Sequence, residues 1–140
     1  MNIGQRERRR VILLIDRDAH ARAILRDALD AAGFTVGEAA TAAEGERTVA
    51  RIRPHAVILD LLHEHDIEGV AEATRIHAIG NHPPVYIVSS AADALVGGTG
   101  LHELGVAGIF LKPMDLPIIV QTLRTRLSGP LRGTRERGHA

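Results

Sequence analysis

Val11-Ile12-Leu13-Leu14-Ile15-Asp16 is a run of five apolar residues closed by an acid. It is continuous rather than alternating, and rich in β-branched side chains. A strand buried on both faces of a parallel sheet reads this way. Three further runs have the same character: Ala56-Val57-Ile58-Leu59, Val85-Tyr86-Ile87-Val88 and Gly108-Ile109-Phe110-Leu111. A fifth stretch, Phe34-Thr35-Val36-Gly37-Glu38, alternates apolar with polar residues and suits a half-exposed edge strand.

Helical spacing fills the intervals. Ala21, Ile24, Leu25, Ala28, Leu29 and Ala32 follow the helical repeat, and Gly33 supplies the stop. Thr41 and Glu44 form a capping box that opens a helix ending before Pro54. A third helix is predicted from about Glu68 to Ala78. A fourth is predicted over 91–104, broken by Gly97-Gly98-Thr99-Gly100, and a fifth is capped by Asp115 and stopped by Gly129-Pro130. The alternation is (βα)5. Placing the alternating strand at an edge gives a doubly wound parallel sheet of order 2-1-3-4-5, flavodoxin-like, with helices on both faces. The expected boundaries are a flexible basic tail over 1–9, one domain over 10–127, and a disordered Gly/Arg-rich tail over 128–140.

Composition removes whole classes of function. A chain of 140 residues with 45% apolar side chains builds one core. Seventeen basic residues balance seventeen acidic ones, so the surplus expected of a nucleic-acid binder is missing. Without cysteine there is neither a disulfide scaffold nor a thiolate zinc site. No apolar run is long enough to span a membrane, and no secretory segment follows Met1–Arg10, so a cytoplasmic setting is expected. Aromatics make up 2%, too few for a base-stacking platform. Lys112 is the single lysine in a chain that otherwise uses arginine, which suggests a site where the wide guanidinium fork does not fit.

Polar residues follow four of the buried runs: Asp16, Asp60, Ser89 and Lys112. In a parallel sheet the carboxyl ends of all strands share one rim, and the switch point between the first and third strands brings Asp16 beside Asp60. Two carboxylates, a hydroxyl and an ammonium suit a hard cation and a phosphoryl group. An aspartate can also act as nucleophile and form an acyl phosphate. The loop His63-Glu64-His65-Asp66 reads as solvated rather than as a transition-metal site. Gly97-Gly98-Thr99-Gly100 lacks the lysine and spacing of a phosphate-binding loop, and the basic start reads as a solvated tail.

These segments, Ile12-Leu13-Leu14-Ile15-Asp16, Ile58-Leu59-Asp60, Val88-Ser89 and Leu111-Lys112-Pro113, resemble the CheY-like receiver domain of two-component response regulators, over about Arg10 to Leu127. The resemblance implies that Asp60 is the phospho-acceptor, Asp16 an acid of the metal site, Lys112 the cation that meets the phosphoryl and Ser89 the hydroxyl that moves toward it. Mg2+ would be held by Asp16, Asp60 and the backbone carbonyl of Leu62. It implies a histidine kinase or phosphotransfer protein as donor, and no turnover beyond self-catalysed phosphoryl acceptance and autodephosphorylation. A free-standing receiver would signal to a downstream protein through its fourth helix, fifth strand and fifth helix, with a weak homodimer as one form of that contact. Neither nucleic acid nor membrane is an expected partner.

The departures are specific. Arg17 stands where the family has a second acid, and its pairing with Asp60 is expected to weaken Mg2+ binding. Asp18, expected as a helix cap, is the alternative ligand. Ile109 stands where many relatives carry a switching Tyr or Phe, so both Arg17 and Ile109 are expected to modify the response. Two rival readings follow: a pseudo-receiver that binds partners without phosphorylation, and a small phosphatase using Asp16-Arg17-Asp18 as a D-x-D motif.

Overall fold

The computed structural model describes residues 9–60, 66–90 and 105–128. Its elements run β1 (Val11–Ile15), α1 (Ala19–Ala31), β2 (Thr35–Ala39), α2 (Ala42–Ile52), β3 (Ala56–Asp60), α3 (Asp66–His77), β4 (Val85–Ser89), β5 (Val106–Leu111) and α4 (Leu116–Arg126). The strands form one sheet of order β2-β1-β3-β4-β5, and every neighbouring pair is parallel. The expected fold class and strand order are those observed. The fourth predicted helix at 91–104 and the loop 61–65, with Leu62 and His63-Glu64-His65, lie outside the described residues. So do 1–8 and 129–140, which make up nearly all of both predicted tails.

Strand alternation splits the apolar side chains into two cores. One holds Ile12, Leu14, Ile58, Tyr86, Val88 and Phe110 with Leu25 and Leu29 of α1 and Ile119 and Leu123 of α4. The other holds Leu13, Ile15, Val57, Leu59, Val85 and Ile87 with Val49 of α2 and Ala73 and Ile76 of α3. Each central strand is therefore sealed on both sides, which is why its sequence does not alternate. Ile109 packs half-buried against the second core.

Local chemistry sets the element ends. Thr41 accepts from Glu44 N–H (3.1 Å), while Glu44 Oε1 accepts from Ala40 N–H (2.7 Å), a capping box displaced by one residue. Asp115 caps α4 by accepting from Ile118 N–H. Gly33, at φ 101°, turns the chain after α1 as its position predicts. Two bounds differ from expectation. α3 begins at Asp66, not Glu68, and β5 begins at Val106, not Gly108. The ladder between β4 and β5 shifts register at Val85/Tyr86, so Val106 pairs with Val85 and Gly108 with Tyr86. Gly108 fits closely there, since a Cβ would lie 3.1 Å from Tyr86 Cδ2 and the ring would have to give way. Edge strand β2 carries Glu38, whose carboxylate is held by Arg22 and Arg26 of α1.

Candidate functional site

The carboxyl ends of β1 and β3 lie side by side, with Ile15 in register with Leu59, so Asp16 and Asp60 follow as neighbours on the rim. Both side chains are buried in the crevice: Asp16 is 8% exposed and the Asp60 side chain 7%. Lys112, directly after β5, reaches across β4 and places its Nζ 2.8 Å from Asp60 Oδ1. The approach is oblique. Asp60 Oδ1 therefore has a charge partner but no donor in hydrogen-bond geometry among the described residues. The Lys112–Pro113 peptide is cis.

Asp16 is shaped by this crowding. Burial pushes its carboxyl up to about 6, and the Asp18 N–H that donates to it pulls the other way. The neighbouring Asp60 raises it further, by charge and by hydrogen bonding, and Lys112 lowers it. The Asp18 N–H bond to Asp16 Oδ1 is 2.8 Å and makes a tight Asx turn. Asp18 in turn caps α1, accepting from His20 N–H (3.0 Å) and Ala21 N–H (3.2 Å). Arg17 is the apex of this turn and is exposed. The expected Arg17–Asp60 pair is thus replaced by a Lys112–Asp60 pair. The reason is local: the turn that satisfies Asp16 and Asp18 directs the residue between them outward.

Ser89 closes β4 one residue past Val88, the ladder partner of Asp60. It is 1% exposed, and its carbonyl accepts from Lys112 N–H (3.1 Å), tying the two strand ends together. The structure brings Asp16, Asp60 and Lys112 into direct interaction and sets Ser89 beside them. Arg22 is a site residue that sequence reading missed. Its Nη1 donates to the Asp16 carbonyl, and its Nε donates to Glu38 Oε1 at 2.9 Å. It locks the end of β1 to the edge strand. The only hint was its place on the first turn of α1, four residues after the capping Asp18.

Beneath the pair is a cavity of about 10 Å3, room for roughly one water, bounded by Leu25, Val88 and Met114 among others. Two buried carboxylates, one with an oxygen lacking a donor, fit a hard divalent cation, which takes one or two carboxylates and keeps several waters. No cluster of three His, Cys, Asp or Glu exists among the described residues. No helix among them is long and apolar enough to cross a membrane.

Residues 12–124 match the family model of the response regulator receiver domain. The transcriptional regulatory protein PrrA of Mycobacterium tuberculosis is 31% identical over 118 residues, covering 83% of this chain and 49% of its own length. The chain thus spans about half the length of the curated relatives it matches. A response regulator of Thermotoga maritima superposes with a TM-score of 0.73 at 19% identity, over 86% of this chain and 99% of that one. The Vibrio cholerae chemotaxis protein CheY4 superposes at 0.70 and 18% identity, over 85% and 99%. Receiver domains typically bind Mg2+ in their acidic pocket and interact with histidine kinases or phosphotransfer proteins. The family model covers most of the chain and the fold agrees with it: this chain belongs to the response regulator receiver domain family.

Proposed function

We propose that residues 10–127 form a phosphoryl-accepting switch with Asp60 as acceptor. The observation that carries this reading is the buried Asp60 carboxylate, 2.8 Å from Lys112 Nζ and against Asp16. An Asp60 oxygen attacks the phosphorus of a phosphohistidine on a histidine kinase or phosphotransfer protein. The P–N bond breaks as the P–O bond forms, and the departing imidazole nitrogen takes a proton from solvent. Mg2+ held by Asp16, Asp60 and the Leu62 carbonyl would supply positive charge to the phosphoryl oxygens. Lys112 moves its ammonium from Asp60 Oδ1 to a phosphoryl oxygen, and Ser89 donates a hydrogen bond to another. No separate substrate is turned over.

The signal then leaves by protein contact, in a cytoplasmic setting. Leu111 at the end of β5 and Ile118 on α4 support that route, being 56% and 55% exposed. Such side chains along the β5 edge of the sheet suit a downstream partner or a weak homodimer. Asp18 already accepts two backbone N–H bonds as a cap, which argues against the D-x-D phosphatase. The position of Arg17 favours one rival, the unphosphorylated binding module, because the crevice has lost its second acid. The test is intact mass after incubation with acetyl phosphate and Mg2+. A gain of one phosphoryl group that needs Mg2+ and disappears in Asp60→Asn is expected. No gain across time and Mg2+ concentration would replace the switch with the binding module.

A further inference from the structure

At the opposite end of the sheet the strand amino ends surround an open cavity of about 700 Å3. Its walls include Arg10 before β1, Arg53 and His55 between α2 and β3, Asn81 and His82 between α3 and β4, and Arg126 at the end of α4. β3 separates His55 from Asp60, so the cavity is about 17 Å from the crevice at about 3.3 Å per residue.

We propose that this cavity is a second binding site, for a small ligand carrying two or more phosphate groups. The charge is one-sided: three guanidinium groups supply it, two imidazole rings stand beside them, and no Asp or Glu lines the cavity among the described residues. In a chain with no net charge, that is segregation rather than a general basic surplus. Guanidinium groups bind phosphate oxygens in pairs, and three of them exceed the need of a single phosphate.

Two further features suggest a built site. Arg53 (φ 50°) and His82 (φ 56°) are the two non-glycine residues with positive φ among the described residues, and both line this cavity. At Arg53 this conformation ends α2, with the Arg53 N–H donating to the Val49 carbonyl, and so sets where the chain turns at the cavity wall. Two of the polar side chains in the wall are also held in place. Val11 N–H donates to His55 Nδ1 (2.9 Å), so the ring carries its proton on Nε2. Asn81 Nδ2 donates to the Pro54 carbonyl (2.8 Å), bracing one loop against the other. The volume lies in the small-ligand range, and no Phe, Tyr or Trp stands among the described lining residues, which favours recognition of phosphate over a stacked base.

Calorimetry on the full chain without Mg2+ tests this, with inorganic tripolyphosphate as the probe. Orthophosphate, ATP and polyglutamate serve as comparisons. Tripolyphosphate is expected to bind one per chain, at least about tenfold more tightly than orthophosphate. ATP binding more tightly than tripolyphosphate would place the natural ligand among nucleotides. Tighter tripolyphosphate binding would place it among free polyphosphates. The double variant Arg53→Asn, Arg126→Gln should lose at least about tenfold in affinity, since asparagine keeps the left-handed backbone at 53. Asp60→Asn and Lys112→Ala should bind as the parent does, and amide shifts should move at Arg53, His55, Asn81 and His82 rather than at Asp16, Asp60 and Lys112. Binding unchanged in the double variant, or lost in Lys112→Ala, would overturn the proposal. So would no heat at millimolar tripolyphosphate, or polyglutamate binding more tightly, which would mark an acidic protein surface as the occupant.

Discussion

Tyr86→Phe should stabilise this protein, although Tyr86 is among its most completely buried side chains. The ring is 1% exposed and stacks on Phe110 with centroids 5.4 Å apart and planes 13° apart. Its hydroxyl has no hydrogen-bond partner among the described residues. A hydroxyl buried without a partner costs about 1–3 kcal/mol. Deleting one oxygen leaves a void on the order of 15 Å3, about 0.4 kcal/mol at about 24 cal/mol per Å3. The stacking is kept, so the net gain is about 1–2 kcal/mol. The assay is urea unfolding with an unchanged m-value, supported by a Tm rise of about 3–8 °C. Tyr86 is the single tyrosine and there is no tryptophan, so phenolate absorbance reports this group alone. Burial raises its pKa above the usual 10, so ionisation should appear only as alkali unfolds the chain. A variant less stable by about 0.5 kcal/mol or more, or phenolate forming before unfolding, would refute the reasoning by showing a partnered or hydrated hydroxyl.

Three other predictions concern the faces around the crevice. Gly45→Ala on α2 places a Cβ 2.3 Å from Ile15 Cδ1 and 2.9 Å from its Cγ1. Overpacking of about 1–3 kcal/mol against a helix-propensity gain of about 1 kcal/mol should give a net loss near 1 kcal/mol by urea unfolding. Glu72 on α3 is buried beside Glu46, and its carboxyl is raised, by burial first. A raised acid contributes stability that is present below the unfolded value of 4.5 and lost as pH rises through the folded one. Glu72→Gln should therefore match the parent at pH 4 and exceed it at pH 7, and the opposite order would refute this. Lys112→Ala should slow acetyl phosphate uptake by about a hundredfold, the usual cost of one charge-stabilising donor, as read by the time course of intact mass. It should also destabilise by about 1–2 kcal/mol, less than for a fully buried pair, because the Lys112 side chain is 35% exposed.

The fold was legible where physics acts locally. Continuous apolar runs imply strands covered on both faces, and parallel strands gather the residues that follow them at one rim. That is enough to bring Asp16, Asp60 and Lys112 together. The start of β5 was hidden because Ala107 and Gly108 have little strand propensity of their own; pairing with β4 holds them. Arg17 was misjudged because an Asx turn, a matter of backbone hydrogen bonds, decides which way residue 17 faces. Arg22 was missed because its partners, Glu38 and the Asp16 carbonyl, become neighbours only after β2 docks. The cationic cavity draws on loops from residue 10 to residue 126, and no local pattern joins them.

The clamp of Arg22 and Arg26 on Glu38 also bears on assembly. β2 is an open margin of the sheet, five residues long, with Gly37 at its centre. An incoming strand would have to pair beside a carboxylate already held by two arginines on the neighbouring helix, and glycine offers it no side chain to pack on. The sheet is therefore closed to growth along this margin. Self-association by strand addition, and the fibrous aggregation that can follow from it, are disfavoured there by two ion pairs and one missing side chain.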